Sequence, residues 1–223
     1  MDLSSLSEVF RRRFDAKMAA RERALPAARR SIRSSANAIR AIHRGDLDEA
    51  HRLMADSADA LRTGREAVRV DHPDVYFAGF LHDAQKEYVE ARATEAIVTG
   101  GELPSADDLE VEPAAYLNGL AEAVGEGRRA ILDLLRGDEV AESERILGVM
   151  EDVYHVLVSM DYPDAITGNL RRSTDVARSL LERTRGDLSL SLVQRNLREA
   201  LDRHAREVMG RPGPDDGPPP SGG

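Results

Sequence analysis

The sequence predicts an all-α protein, a single antiparallel bundle of about seven helices. Three observations point there. Apolar residues recur at spacings of three and four along most of the chain and nowhere in a sustained alternation. Aromatic residues make up only 4% of the 223 residues and Trp is absent, so a core must be Ala, Leu and Val packed at close range, which suits helices better than a sheet. Gly-Asp, Gly-Gly and Pro pairs divide the chain at intervals, as helix stops and starts do. A chain of this length buries roughly 70% of the surface its unfolded form exposes, so size alone demands no partner.

The first helix runs from Leu3 to about Arg44, with Leu6, Phe10, Phe14, Ala20, Ile32, Ala36, Ile39 and Ile42 on its apolar stripe. Pro26 lies inside it, which predicts either one bent helix or two abutting ones. Gly45 ends this segment and Asp46 caps the second helix, whose apolar positions include Leu47, Ala50, Leu53, Met54, Ala58 and Leu61. Asp71-His72-Pro73 opens a third helix that runs through Val98 to Gly100-Gly101, and a polar stretch, 102–112, leads to a fourth from about Pro113 to Arg136. After Gly137-Asp138 a fifth runs from about Glu139 to Met160. Asp161-Tyr162-Pro163 breaks the pattern, a sixth continues to Arg185, and after Gly186-Asp187 a seventh ends near Met209. The domain expected is therefore 1–209. Residues 210–223, GRPGPDDGPPPSGG, are too rich in Pro and Gly to bury apolar area and are expected to form a disordered tail.

Composition also excludes chemistry. Without Cys there are no disulfides, thiolate metal sites or Cys nucleophiles. The leading segment MDLSSLSEVFRRRF has no apolar run of the signal-peptide kind, and no stretch approaches 18 apolar residues, so the expectation is a cytoplasmic protein with no membrane partner. A net charge of −9 argues against nucleic-acid binding through overall basicity, although a local basic surface remains available. Of the 31 cations, 29 are Arg, a hint about habitat rather than function. No P-loop, dinucleotide fingerprint or Ser/His/Asp order is present.

Burying a carboxylate without a partner costs several kcal/mol, so acidic residues on apolar faces mark candidate sites. In the third helix Glu87 projects within about 20° of Phe80 and Val98, and Glu90 lies about 60° further round. In the fourth, Glu122 and Glu126 form an i,i+4 pair on the flank of an arc through Tyr116, Leu120, Ala123, Gly127, Ile131 and Leu134, where Gly119, Gly125 and Gly127 leave the surface thin. If these helices are neighbours, four carboxylates face one another, a hard-oxygen set suited to Mg²⁺ or Mn²⁺. In a chain with 32% charged residues such pairs also arise on solvated faces. Asp56/Asp59 and Asp107/Asp108 lack an apolar setting. Asp152/His155 has the spacing of a di-iron motif but no matching Glu-x-x-His, and the other histidines, His43 among them, are scattered.

Glu87-Tyr88-Val89-Glu90-Ala91 resembles the Glu-Tyr-Val-Glu-Ala motif of translin-associated factor X. Tyr116-Leu-Asn-Gly-Leu-Ala-Glu122-Ala-Val-Gly-Glu126 resembles that family's Tyr-Leu-x-Gly-x-Ala-Asp-x-x-Gly-Glu segment, in the same order and at similar spacing. The resemblance extends over about residues 5–205 as a seven-helix plan. It implies the translin superfamily, with its archaeal-type homologues: all-helical subunits assembled into a hollow, roughly octameric shell, of which the factor X type binds Mg²⁺ on the inner surface and cleaves single-stranded RNA. Carried over, the metal-binding and catalytic residues are Glu87, Glu90, Glu122 and Glu126. Glu122 stands where the motif has Asp, and Lys86 where it has Gln, which changes metal geometry by about one C–C bond at Glu122.

The implied reaction is metal-assisted phosphodiester hydrolysis, with Glu87 expected to orient or deprotonate the attacking water. Lys86, Arg92, Arg128 and Arg129 flank the carboxylates as phosphate contacts, or else as solvated or intersubunit cations. Two other readings stand beside this one. One is a translin-like module that holds single-stranded RNA or DNA without cutting it. The other is an all-α nucleotide pyrophosphohydrolase, whose second acidic pair is spaced i,i+3 rather than the i,i+4 found here.

Overall fold

The computed structural model describes residues 3–209; the expected tail, 210–223, lies outside the described residues. Eight helices and no strand are found among them: α1 (Leu3–His43), α2 (Leu47–Glu66), α3 (Pro73–Tyr76), α4 (Phe80–Thr99), α5 (Pro113–Arg136), α6 (Val140–Val158), α7 (Asp164–Thr167) and α8 (Leu170–Met209). No helix among the described residues is long and apolar enough to cross a membrane.

The core follows the predicted apolar stripes only in part, since Leu6, Phe10 and Phe14 at the start of α1 are exposed while Ala20, Ile39 and Ile42 further along are buried. Ala20, Ala24, Ala28, Ala38 and Ile42 of α1 are buried with Ala50, Met54 and Leu61 of α2 and Leu81, Ala84, Val89 and Ile97 of α4. The close spacing of α1 and α2 rests on small residues. Ser31, Ser35 and Ser57 are buried, with both α1 hydroxyls 2.8 Å from Ser57 Oγ. α5 packs on α4, α6 and α8 and so occupies the middle of the bundle. Asp46 caps α2 as expected, its carboxylate accepting from Glu49 N–H at 3.2 Å.

Two boundaries differ from expectation, and the alternative left open at Pro26 is decided. α1 is one helix through Pro26, since buried Ala24 and Ala28 hold it on both sides of the proline. The third predicted helix is split into α3 and α4 at Gly79, whose φ of +95° breaks helical geometry. The expected helix end at Gly186-Asp187 is absent and α8 runs straight through, while a break falls earlier, at Gly168 and Asn169, with φ of +63° and +66°. A helical glycine costs only about 1 kcal/mol relative to Ala. Buried Leu181 and Leu188 on either side of Gly186, with Asp187 paired to Arg128 at 2.8 Å, outweigh that cost.

Candidate functional site

The position of the site follows from one residue without a side chain. At Gly119 on α5, a Cβ would lie 2.6 Å from Val89 Cβ and 2.7 Å from the Lys86 carbonyl on α4. Only glycine permits this approach, and it brings Glu87 and Glu90 of α4 against Glu122 of α5, with one carboxylate oxygen of each within 4.8 Å of the other two. The start of α5 is pinned by its neighbours as well. Gln85 accepts from Glu112 N–H at 2.6 Å, and Tyr76 donates to the Glu112 carboxylate at 2.7 Å. Buried Asn118 ties the same helix to α7 and α8, donating to Thr167 O and accepting from Ser173 Oγ, each at 2.8 Å.

The electrostatics are those of crowded, partly desolvated carboxylates. Burial, reinforced by the charges of Glu122, Glu87 and Glu126, pushes the Glu90 carboxyl up to about 8. Glu87 is raised by burial, with Lys86 opposing and Glu122 and Asp83 adding to the rise. Glu90 therefore sits deeper in the cluster than Glu87, reversing the order expected from the helical arc. Lys86 supplies the local positive charge, its Nζ 2.7 Å from Glu122 Oε1 and 4.0 Å from Glu87 Oε1. Burial lowers the Lys86 pKa, but Glu122, Glu87 and Asp83 outweigh it and the net shift is upward.

Glu126 stands one turn further along α5 and outside this triad. Its Oε2 lies 2.5 Å from Nε2 of His43, whose side chain is 6% exposed at the end of α1, and 3.6 Å from Arg129 Nη1. The His43 hydrogen bond, against the cost of burial, holds the Glu126 carboxyl below its usual value. His43 is the site residue that sequence reasoning missed. It lies 83 positions from Glu126 in the chain, and no spacing or motif marks it.

The predicted phosphate contacts divide. Lys86 is in the cluster but committed to Glu122, and Arg129 lies beside Glu126 with 54% of its side chain exposed. Arg128 is tied to Thr184 Oγ1 at 3.0 Å and Asp187 at 2.8 Å, as a brace between α5 and α8. Arg92 lies on the other side of α4, where it shares a cleft of about 390 Å³ with His51, Met54 and Tyr88, accepted by Tyr88 Oη at 3.3 Å and 3.6 Å from Glu95. The structure does not bring Arg92 to the carboxylates, because two residues beyond Glu90 is more than half a helical turn. The cleft over the cluster, about 340 Å³, is lined by Glu90, Ala121, Glu122, Arg172, Ser173 and Leu180. A larger cleft, about 790 Å³ between the end of α6 and the start of α8, includes none of the four glutamates.

No family model matches the sequence. The uncharacterized protein MJ0175 of Methanocaldococcus jannaschii is 33% identical over 189 residues, spanning 84% of this chain and 83% of that protein. Among solved structures, the chain is similar to AfC3PO in a complex with duplex RNA, with a TM-score of 0.79 and 38% identity over 84% of this chain and 97% of that one. AfC3PO alone gives a TM-score of 0.78 at 37% identity and the same coverage. The likeness to apo-NeC3PO, TM-score 0.71 at 20% identity over 85% of this chain and 97% of that one, bears on the fold alone. C3PO is the complex of translin with translin-associated factor X.

Proposed function

This chain belongs to the translin superfamily, and from that premise we propose that it binds RNA and hydrolyses its phosphodiester bonds with Mg²⁺ or Mn²⁺ at Glu87, Glu90, Glu122 and Glu126. The observation that carries the reading is the convergence of three carboxylates from two helices within 4.8 Å. The donor set suits the ion: hard oxygens only, and more negative charge than Lys86 balances, so that Glu90 holds its proton up to about pH 8 without a divalent cation. A cation there would supply charge stabilisation for the phosphate and the leaving oxygen. Glu90, Glu122 and Glu126 would hold the ion together with Glu87, whose carboxylate would alternatively orient or deprotonate the attacking water, and His43 bonds Glu126 in place.

RNA as the ligand is supported by the duplex RNA complex of AfC3PO, and the preference for single strands rests on the motif resemblance. Arg129 and Arg172 are the exposed cations beside the carboxylates available for phosphates. With so few, affinity should be modest, and its loss with rising salt should be that of a small number of phosphate contacts. Assembly into a hollow homo-oligomer, an octamer in the reading proposed, is supported by two exposed stripes with identical spacing. These are Leu3, Leu6, Phe10 and Phe14 at the start of α1, and Leu190, Val193, Leu197 and Leu201 in the second half of α8. Contiguous apolar surface of this kind marks an interface.

A second reading has its own observation. Lys86 already contacts Glu122 at 2.7 Å, which favours a module that holds single-stranded RNA or DNA without cutting it. The deciding experiment is cleavage of end-labelled single-stranded and duplex RNA by the full chain with Mg²⁺, with EDTA, and with Glu126→Gln. Cleavage lost on EDTA and reduced by roughly 100-fold or more in the variant is expected. RNA retained uncut under every condition would overturn the nuclease and leave the holding module.

A further inference from the structure

The inference rests on the metal reading above and concerns the one cation inside the cluster. Lys86 Nζ lies 2.7 Å from Glu122 Oε1 and 4.0 Å from Glu87 Oε1, so it bridges the carboxylates of α4 and α5 where their oxygens converge. Both partners are partly buried, with side-chain exposures of 22% for Lys86 and 37% for Glu122, so the pair is not a freely solvated surface bridge. The other cation lining this cleft, Arg172, makes no ion pair within 4.0 Å among the described residues. The positive charge of the metal-free cluster is therefore lysine alone. A divalent ion coordinated by Glu122 would take the oxygen that the ammonium now holds, and two cations sharing one carboxylate oxygen repel strongly in a partly desolvated site. Lys86 is carried on a flexible four-carbon stem, so its ammonium can leave without movement of α4.

We propose that Lys86 is a built-in counter-cation of the carboxylate cluster, which holds Glu122 and Glu87 together in the metal-free protein and must withdraw when a divalent ion enters, so that it sets the metal affinity of the site. The lysine competes with the metal rather than contacting the RNA phosphate.

The test is Mn²⁺ binding to the full chain by titration calorimetry, for the natural protein and for Lys86→Gln, Lys86→Met and Lys86→Arg, each checked for helical content by circular dichroism. Lys86→Gln and Lys86→Met are expected to bind Mn²⁺ roughly tenfold more tightly, because the competing charge is gone, while Lys86→Arg keeps the weaker affinity of the natural protein. A second readout is thermal unfolding. Without metal the two neutral variants are expected to melt below the natural protein, and with Mn²⁺ their melting temperature rises further than its own. Equal or weaker Mn²⁺ binding in both neutral variants would overturn the competition while leaving the metal site standing. Absence of Mn²⁺ binding in all four proteins would sink the metal reading and this inference with it.

Discussion

Glu90 carries the sharpest consequence of the geometry at the scale of single residues. Its carboxyl titrates near 8 in the folded chain and near the ordinary carboxylate value once unfolded. A group whose pKa is raised by folding stabilises the fold fully below its unfolded value and loses that contribution as pH rises through its folded one. The metal-free protein should therefore lose stability between about pH 4.5 and about pH 8. Glu90→Gln cannot ionise, so in EDTA at about pH 8.5 it should melt higher than the natural protein by at least about 3 °C, and the two should converge near pH 5. A variant that melts lower at both pH values would show that the Glu90 carboxyl is not crowded as described. Motif and helical arc marked all four glutamates as candidates, and the structure brings Glu87, Glu90 and Glu122 together while Glu126 pairs with His43. The arc made Glu87 the innermost, whereas Glu90 is, and Glu126 is bonded to a histidine 83 positions away.

Packing of α4 on α5 governs the site at the scale of elements. The Cβ that a Gly119→Ala change would add falls 2.6 Å from Val89 Cβ and 2.7 Å from a backbone carbonyl, and the carbonyl cannot turn aside as a flexible side chain would. Overpacking of this kind costs about 1–3 kcal/mol. Gly119→Ala should lower the melting temperature by several degrees and also weaken Mn²⁺ binding, since parting the helices separates Glu122 from Glu87 and Glu90. Unchanged metal affinity at lowered stability would show that the cluster tolerates wider spacing. The α5 boundaries, Pro113 and Arg136, are those expected from a proline at the first turn and a glycine after the last. The expected break at Gly186 did not form, because burial of Leu181 and Leu188 and the Arg128 brace are tertiary effects that local propensity does not contain.

Leu3, Leu6, Phe10 and Phe14 on α1 and Leu190, Val193, Leu197 and Leu201 on α8 leave two apolar stripes without cover within the described residues of one chain. Exposure of this kind at the scale of the whole molecule fits subunits that bury these stripes on one another. Phe10→Glu with Phe14→Glu should reduce the mass found by sedimentation velocity toward that of a monomer while helical content is kept, since these positions lie outside the core. A sedimentation profile identical to that of the natural chain would remove the α1 stripe from the interface. A closed shell would also place the carboxylate clusters of several subunits around one interior, so loss of assembly and loss of RNA binding should follow together.

The sequence by itself determined the helical class and the order and most boundaries of the long helices, and it marked the four glutamates as candidates, because helical periodicity, capping residues and short motifs are local properties of the chain. Only the tertiary structure decided that Lys86 bridges Glu122 and Glu87, that His43 holds Glu126, and that α8 passes unbroken through Gly186. Each of these depends on distances between residues far apart in the chain, and those distances are set by how closely two helix surfaces can approach, which at this site is fixed by Gly119.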